Sequence, residues 1–133
     1  MRATILLACS MVFAWLAPVR ADENAFAGKW RIERISGVDA FDAARAAFDW
    51  LPDGRIATTV GCNRMIGKPD VHGDRIAFAA MAMTKMACPP PLDDVETKYA
   101  TALAAARTFR LDGPELTFAD DKGSALVVLR RAE

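Results

Sequence analysis

The chain has 133 residues, 17 basic and 17 acidic side chains, 53% hydrophobic residues and one histidine. That length suits one domain, and the composition suits a packed globule rather than a disordered, collagen-like or coiled-coil chain. A formal net charge of zero argues against a nucleic-acid binder, which normally carries a basic excess.

The first 21 residues form a separate segment. Arg2 is a short positive start, Ala3 to Ala17 is apolar apart from Thr4 and Ser10, and Pro18 then breaks the run. Val19-Arg20-Ala21 puts small residues where a signal peptidase reads, so residues 1–21 are expected to be a cleaved secretory signal. The apolar run is short for a spanning helix. Leu6-Leu7-Ala8-Cys9 faintly resembles a lipoprotein box, but it lies very near Met1 and the apolar run continues past it, so lipidation ranks second. Cleavage after Ala21 removes two arginines and leaves 112 residues with 15 basic and 17 acidic side chains, a net charge of −2. The expected product is a small exported domain, residues 22–133, with no transmembrane segment. Its cysteines are then Cys62 and Cys88, and two cysteines in an oxidising compartment suggest one disulfide. The closed loop of about 27 residues would contribute roughly 3–4 kcal/mol in the chain-entropy model.

Along the mature chain, Gly28 to Ile35 alternates, with Trp30 and Ile32 on one face and charges on the other, which predicts a half-buried strand. Ser36 to Asp42 reads as a loop. Ala46, Phe48 and Trp50 fall at period two, and Pro52-Asp53-Gly54 is a tight-turn signal before Arg55 to Val60, which contains β-branched residues, so a hairpin is expected. Gly61 to Gly73, with three glycines and a proline, reads as an irregular connection. Arg75 to Ala79 and Ala82 to Ala87 look like short strands, and Pro89-Pro90-Pro91 ends that run. Asp93 with Glu96 resembles a capping box opening a helix whose apolar stripe is Val95, Tyr99, Ala102, Leu103 and Ala106. Thr108 to Leu111 and Glu115 to Phe118 are strands joined across Asp112-Gly113-Pro114, and Asp120 to Gly123 turns the chain into a last strand, Ser124 to Arg130. The expected fold class is mainly β (α+β): a curled antiparallel sheet or partly closed β-barrel with one packed α-helix.

Several of these residues occur together in a known pattern. Its elements are Trp30, Asp53-Gly54-Arg55-Ile56, Gly61-Cys62-Asn63-Arg64 with Gly67, Met83-Thr84-Lys85-Met86-Ala87-Cys88, Glu96 and Leu116. The set resembles the META domain family, the HslJ-like proteins of bacteria, over about residues 26–131. The resemblance implies a compact β-rich domain with one helix, exported to the periplasm and associated with envelope stress and secretion, with no enzymatic activity established. An aromatic residue is common after Gly67 in that pattern; Lys68-Pro69 stands here instead.

Each candidate side chain has a functional and a structural reading. Cys62 and Cys88 are a redox pair or soft metal ligands in the first and a structural disulfide in the second; 25 intervening residues are unlike a redox motif. Asn63 tolerates tight turns and satisfies backbone groups, whereas Arg64 suits either an anion or partner carboxylate or main-chain carbonyls. Lys85, if Ala82 to Ala87 is a strand, shares a face with Met81 and Met83. Partial burial would make it a base or nucleophile, exposure a snorkelling surface lysine. Met81, Met83 and Met86, with Met65, offer soft thioethers for copper, although period two sets Met86 opposite the others, and methionines also fill cores. His72 has no ligand-spaced neighbours, and Ser36 and Ser124 stand in no nucleophile-elbow context. The expectation is a monomeric, non-enzymatic binding module without a cofactor. Its partner would be an envelope protein, a peptide or a small ligand, contacted through Asn63, Arg64 and Lys85. The alternatives are copper handling by Met81, Met83 and Met86, and a hydrolase or transferase built on Lys85 or His72.

Overall fold

The computed structural model describes residues 25–132. The expected signal segment, with Cys9, lies outside the described residues. Ten strands and one helix follow in chain order: β1 (Gly28–Ile35), β2 (Ala47–Trp50), β3 (Ile56–Thr59), β4 (Arg64–Gly67), β5 (Asp70–His72), β6 (Arg75–Ala77), β7 (Ala82–Met83), α1 (Leu92–Ala105), β8 (Thr108–Asp112), β9 (Glu115–Ala119) and β10 (Ala125–Arg131). The strands form one antiparallel sheet, ordered β5-β6-β8-β9-β10-β1-β2-β3-β4-β7, which curls into a half-barrel around the helix. The mainly β architecture expected from turn spacing and a single amphipathic stripe is the one observed.

Period-two patterning explains the inner face. Trp30, Ile32 and Ile35 of β1, Phe48 and Trp50 of β2, Ile56 and Thr58 of β3, Leu116 and Phe118 of β9, and Val127 and Leu129 of β10 are buried. A bulge between Ile32 and Arg34 shifts the register against β10 and leaves Glu33 beside Arg130, whose Nε donates to the carboxylate at 2.9 Å. Tyr99, Ala102 and Leu103 fill the concavity from the helix. Thr58 Oγ1 donates to the Ala47 carbonyl at 2.7 Å and stands 2.6 Å from the Tyr99 hydroxyl, so the phenol is the donor in that second bond.

At one end of the core the packing is aromatic. Phe26 stacks on Trp50 with ring centroids 4.7 Å apart and meets Phe109 edge-on at 4.9 Å. Phe118 touches Phe78 and Phe48, at 5.0 and 6.0 Å. Trp30 Nε1 donates to the Phe26 carbonyl at 2.8 Å, while Trp50 Nε1 is buried without a partner among the described residues.

Three local expectations need correction. Gly61 to Gly73 is not an irregular connection: it contains β4 and β5. Each is only three or four residues long and bounded by glycines, so its own signal is weak and its pairing with β3 or β6 creates it. The strand expected over Ala82 to Ala87 ends at Met83, because the Asn63 side chain replaces a strand as partner of the following backbone, accepting the Met86 N–H at 2.7 Å. There is no capping box at α1. Pro91 occupies the cap without a side-chain hydrogen bond, Asp93 lies in the first turn and Glu96 is turned inward. Asp93 and Asp94 still complement the helix dipole. At the other end, Arg107 Nη1 donates to the Ala104 and Ala106 carbonyls, both at 2.8 Å.

Candidate functional site

The two motif segments of the sequence converge against the helix. Gly61 opens the turn after β3 with φ +122°, a conformation that side chains rarely adopt. That turn delivers Cys62 to a disulfide with Cys88, with Cα atoms 6.1 Å apart. It also directs Asn63 into the protein.

Asn63 is 5% exposed and ties three elements together. Its backbone N–H donates to Glu96 Oε2 at 2.8 Å, and Nδ2 donates to Glu96 Oε1 at 2.6 Å and to the Met86 carbonyl at 3.2 Å. Its Oδ1 accepts from Thr84 Oγ1 at 3.0 Å and from the Met86 N–H at 2.7 Å. Thr84 Oγ1 in turn accepts the Arg64 N–H at 3.0 Å. Both amide donors and both carbonyl lone pairs are thereby used. Asn63, expected among the contacts to a partner, is buried and has its side chain fully engaged inside the protein.

Glu96 is the residue that sequence reasoning missed in this role. It is 8% exposed on the inward face of α1. The signal was present: Glu96 stands three residues before Tyr99 and seven before Leu103, a carboxylate within the apolar stripe. A buried carboxylate needs donors, and both of its oxygens find them on Asn63.

The other candidates lie outward or apart. Arg64 and Lys85 are exposed, and neither makes an ion pair among the described residues. Lys85 lies beyond the end of β7 rather than within a strand. Met65 is buried, and Met81 packs against Gly67 and the edge of the core. Met83 and Met86 are 40% and 59% exposed, and with Ile66 at 45% they are the exposed large hydrophobics among the described residues. His72 is exposed on β5, at the opposite edge of the sheet from β7. Ser36 and Ser124 are exposed beyond β1 and before β10. A groove of about 840 Å3 runs beside β1, past the end of its pairing with β2, with Arg31, Glu33, Arg34 and Asp39 among its lining residues. Neither Arg64 nor Lys85 lines it.

Comparisons with known proteins agree with this geometry. The META domain family model matches residues 23–133. A protein from Burkholderia xenovorans, solved by NMR, superposes with a TM-score of 0.64 at 19% identity, covering 97% of this chain and 99% of its own. The crystal structure of a duf4847 family protein from Bacteroides vulgatus ATCC 8482 gives a TM-score of 0.61 at 13% identity, over 83% of this chain and 96% of its own. At these identities the likeness is one of fold. No curated protein matches the sequence.

Proposed function

Because the chain belongs to the META domain family, we propose that it is an exported, non-enzymatic binding module of the bacterial envelope, engaged during stress. Its partner is another envelope protein, held through an extended segment rich in acidic and apolar side chains. Such a segment lies along the rim formed by β4, β7 and residues 84–88.

One observation carries this reading: the rim exposes Ile66 and Arg64 on one face of β4, Met83 on the other face, opposite Met65, and then Lys85 and Met86, and neither cation has a carboxylate partner among the described residues. Arg45, Arg55, Lys98 and Arg130 are paired with acidic neighbours, whereas Arg64 and Lys85, like most other cations of the described residues, are not. Exposed hydrophobics beside unsatisfied positive charge suit an acidic, apolar ligand. β7 is also a terminal strand of the sheet, and a terminal strand offers main-chain groups to an added one. Asn63, Thr84 and the disulfide hold the rim in place from behind. Export is supported by the signal-like pattern of residues 1–21 and by the disulfide. No helix among the described residues is long and apolar enough to cross a membrane.

The test is fluorescence anisotropy with a labelled peptide alternating Glu and Leu, against a matched peptide alternating Lys and Leu. The acidic peptide should bind, weaken as salt is raised, and be lost with the double variant Arg64→Glu, Lys85→Glu. The same variant should impair survival of envelope stress. Equal binding of both peptides, or an unaffected double variant, would refute the assignment.

A further inference from the structure

Glu96 does something at the disulfide that holding Asn63 does not require. The sulfurs of Cys62 and Cys88 and a carboxylate oxygen of Glu96 all lie within 4.8 Å of one another. Glu96 Oε2 and Oε1 stand 3.9 and 4.0 Å from Cys88 Sγ. Asn63 Nδ2 lies 3.4 Å from the same sulfur. Two sulfurs and a buried carboxylate at this spacing are a soft–hard donor set of the kind that zinc takes.

We propose that the reduced protein binds one zinc ion through Cys62, Cys88 and Glu96, so that the metal replaces the disulfide as the tie between the β3–β4 turn and the segment before α1. A dithiol reductant supplies two electrons and two protons to the bridge, giving two thiols, and closes to its own disulfide. Zinc then displaces the two thiol protons to solvent and binds the thiolates. Tetrahedral zinc with Zn–S of about 2.3 Å needs the sulfurs roughly 3.8 Å apart. Cα atoms 6.1 Å apart allow that opening by side-chain rotation.

Electrostatics favours occupation of the reduced site. Two thiolates beside a buried carboxylate repel one another, and a divalent cation removes most of that repulsion. The support around the ligands is already in place. Asn63 fixes the carboxylate with its backbone and side-chain N–H groups and points Nδ2 at Cys88 Sγ, the outer-shell arrangement that orients zinc ligands. Cys62 and Cys88 are half-buried, which leaves the fourth position to a water molecule.

The experiment uses the purified mature protein, reduced anaerobically, freed of reductant and titrated with zinc chloride against a chromophoric chelator. Cobalt(II) chloride provides the spectroscopic probe. Expected are one zinc per reduced chain, none per oxidised chain, and sulfur-to-cobalt charge-transfer bands with intense tetrahedral visible bands. Glu96→Gln should weaken zinc at least about tenfold and alter the visible bands, while Cys88→Ser should abolish retention. Near-ultraviolet circular dichroism of the tryptophans follows the fold. If reduction loosens the protein, zinc should restore that signal. A folded reduced protein that retains no zinc, a loosened one that zinc does not restore, or an unchanged Glu96→Gln titration would each overturn the proposal. Because the peptide assay uses the oxidised protein, failure here is distinct from failure of the rim to bind.

Discussion

The aromatic end of the core and the clamp around Asn63 are held by different physics. Phe26, Phe48, Trp50 and Phe118 are almost wholly buried and pack ring against ring. That end even buries the Trp50 indole N–H without a partner among the described residues. In the clamp, by contrast, every hydrogen-bonding position of the Asn63 side chain is used, and a covalent bridge stands beside it. Burial is non-directional, so an aromatic core absorbs small imperfections. A buried polar network does not: removing one member strands the others without donors.

The largest expected effect is at the aromatic end. Phe118→Ala should destabilise by about 4 kcal/mol, read from urea unfolding; a cost below about 1 kcal/mol would show that this end collapses freely around the void. Replacing both cysteines with serine should cost about 3 kcal/mol under oxidising conditions, and reductant should lower the wild-type midpoint to match. Asn63→Ala should cost about 2–3 kcal/mol, because the Glu96 carboxylate loses a charge-assisted donor. Combined with Glu96→Ala it should be clearly non-additive, with a coupling of about 1 kcal/mol or more. Additivity would mean that the clamp is merely a set of independent contacts.

Two smaller effects concern protons. Tyr99 is the sole tyrosine of the chain, and burial pushes its phenol well above the ordinary 10.0. The folded state therefore holds the proton more tightly than the unfolded one. Its contribution is complete below pH 10.0 and is lost as the pH rises beyond it. Tyrosinate absorbance should appear together with alkaline unfolding, and Tyr99→Phe should flatten that pH dependence at a cost of about 1 kcal/mol at neutral pH. The least effect is at the β2–β3 turn. There the Arg55 N–H and guanidinium, with 3.0 and 2.8 Å bonds, hold the Asp53 carboxyl below its ordinary 3.8. Its small contribution is present above that value and is lost as acid protonates it. A carbon-detected titration should place the Asp53 midpoint under 3.8.

The two regions also differ in how plainly they read from the chain. Trp30, Phe48, Trp50, Phe118, Val127 and Leu129 advertise the core through period two, and Val95, Tyr99 and Leu103 advertise the helix through period 3.6, since burial imposes these spacings on any sequence that folds this way. The pairing of Cys62 with Cys88 followed from their number. The clamp was another matter. Glu96 looked like a capping residue because a local motif and an inward-facing carboxylate share the same letters. Thr84 and Met86 gave no sign that the Asn63 amide would take the Thr84 hydroxyl and both backbone groups of Met86.

By itself, then, the sequence determined the mainly β architecture, the helix, the cysteine pair and the family pattern, because periodicity, turn chemistry and cysteine count are local or countable properties. Tertiary structure alone decided that Glu96 meets Asn63, that β4 and β7 form a rim of Ile66, Met83 and Met86 with Arg64 and Lys85 beside it, and that a carboxylate adjoins the disulfide. Those juxtapositions join residues up to 33 positions apart. Their geometry depends on how the sheet curls around the helix, which no spacing along the chain encodes.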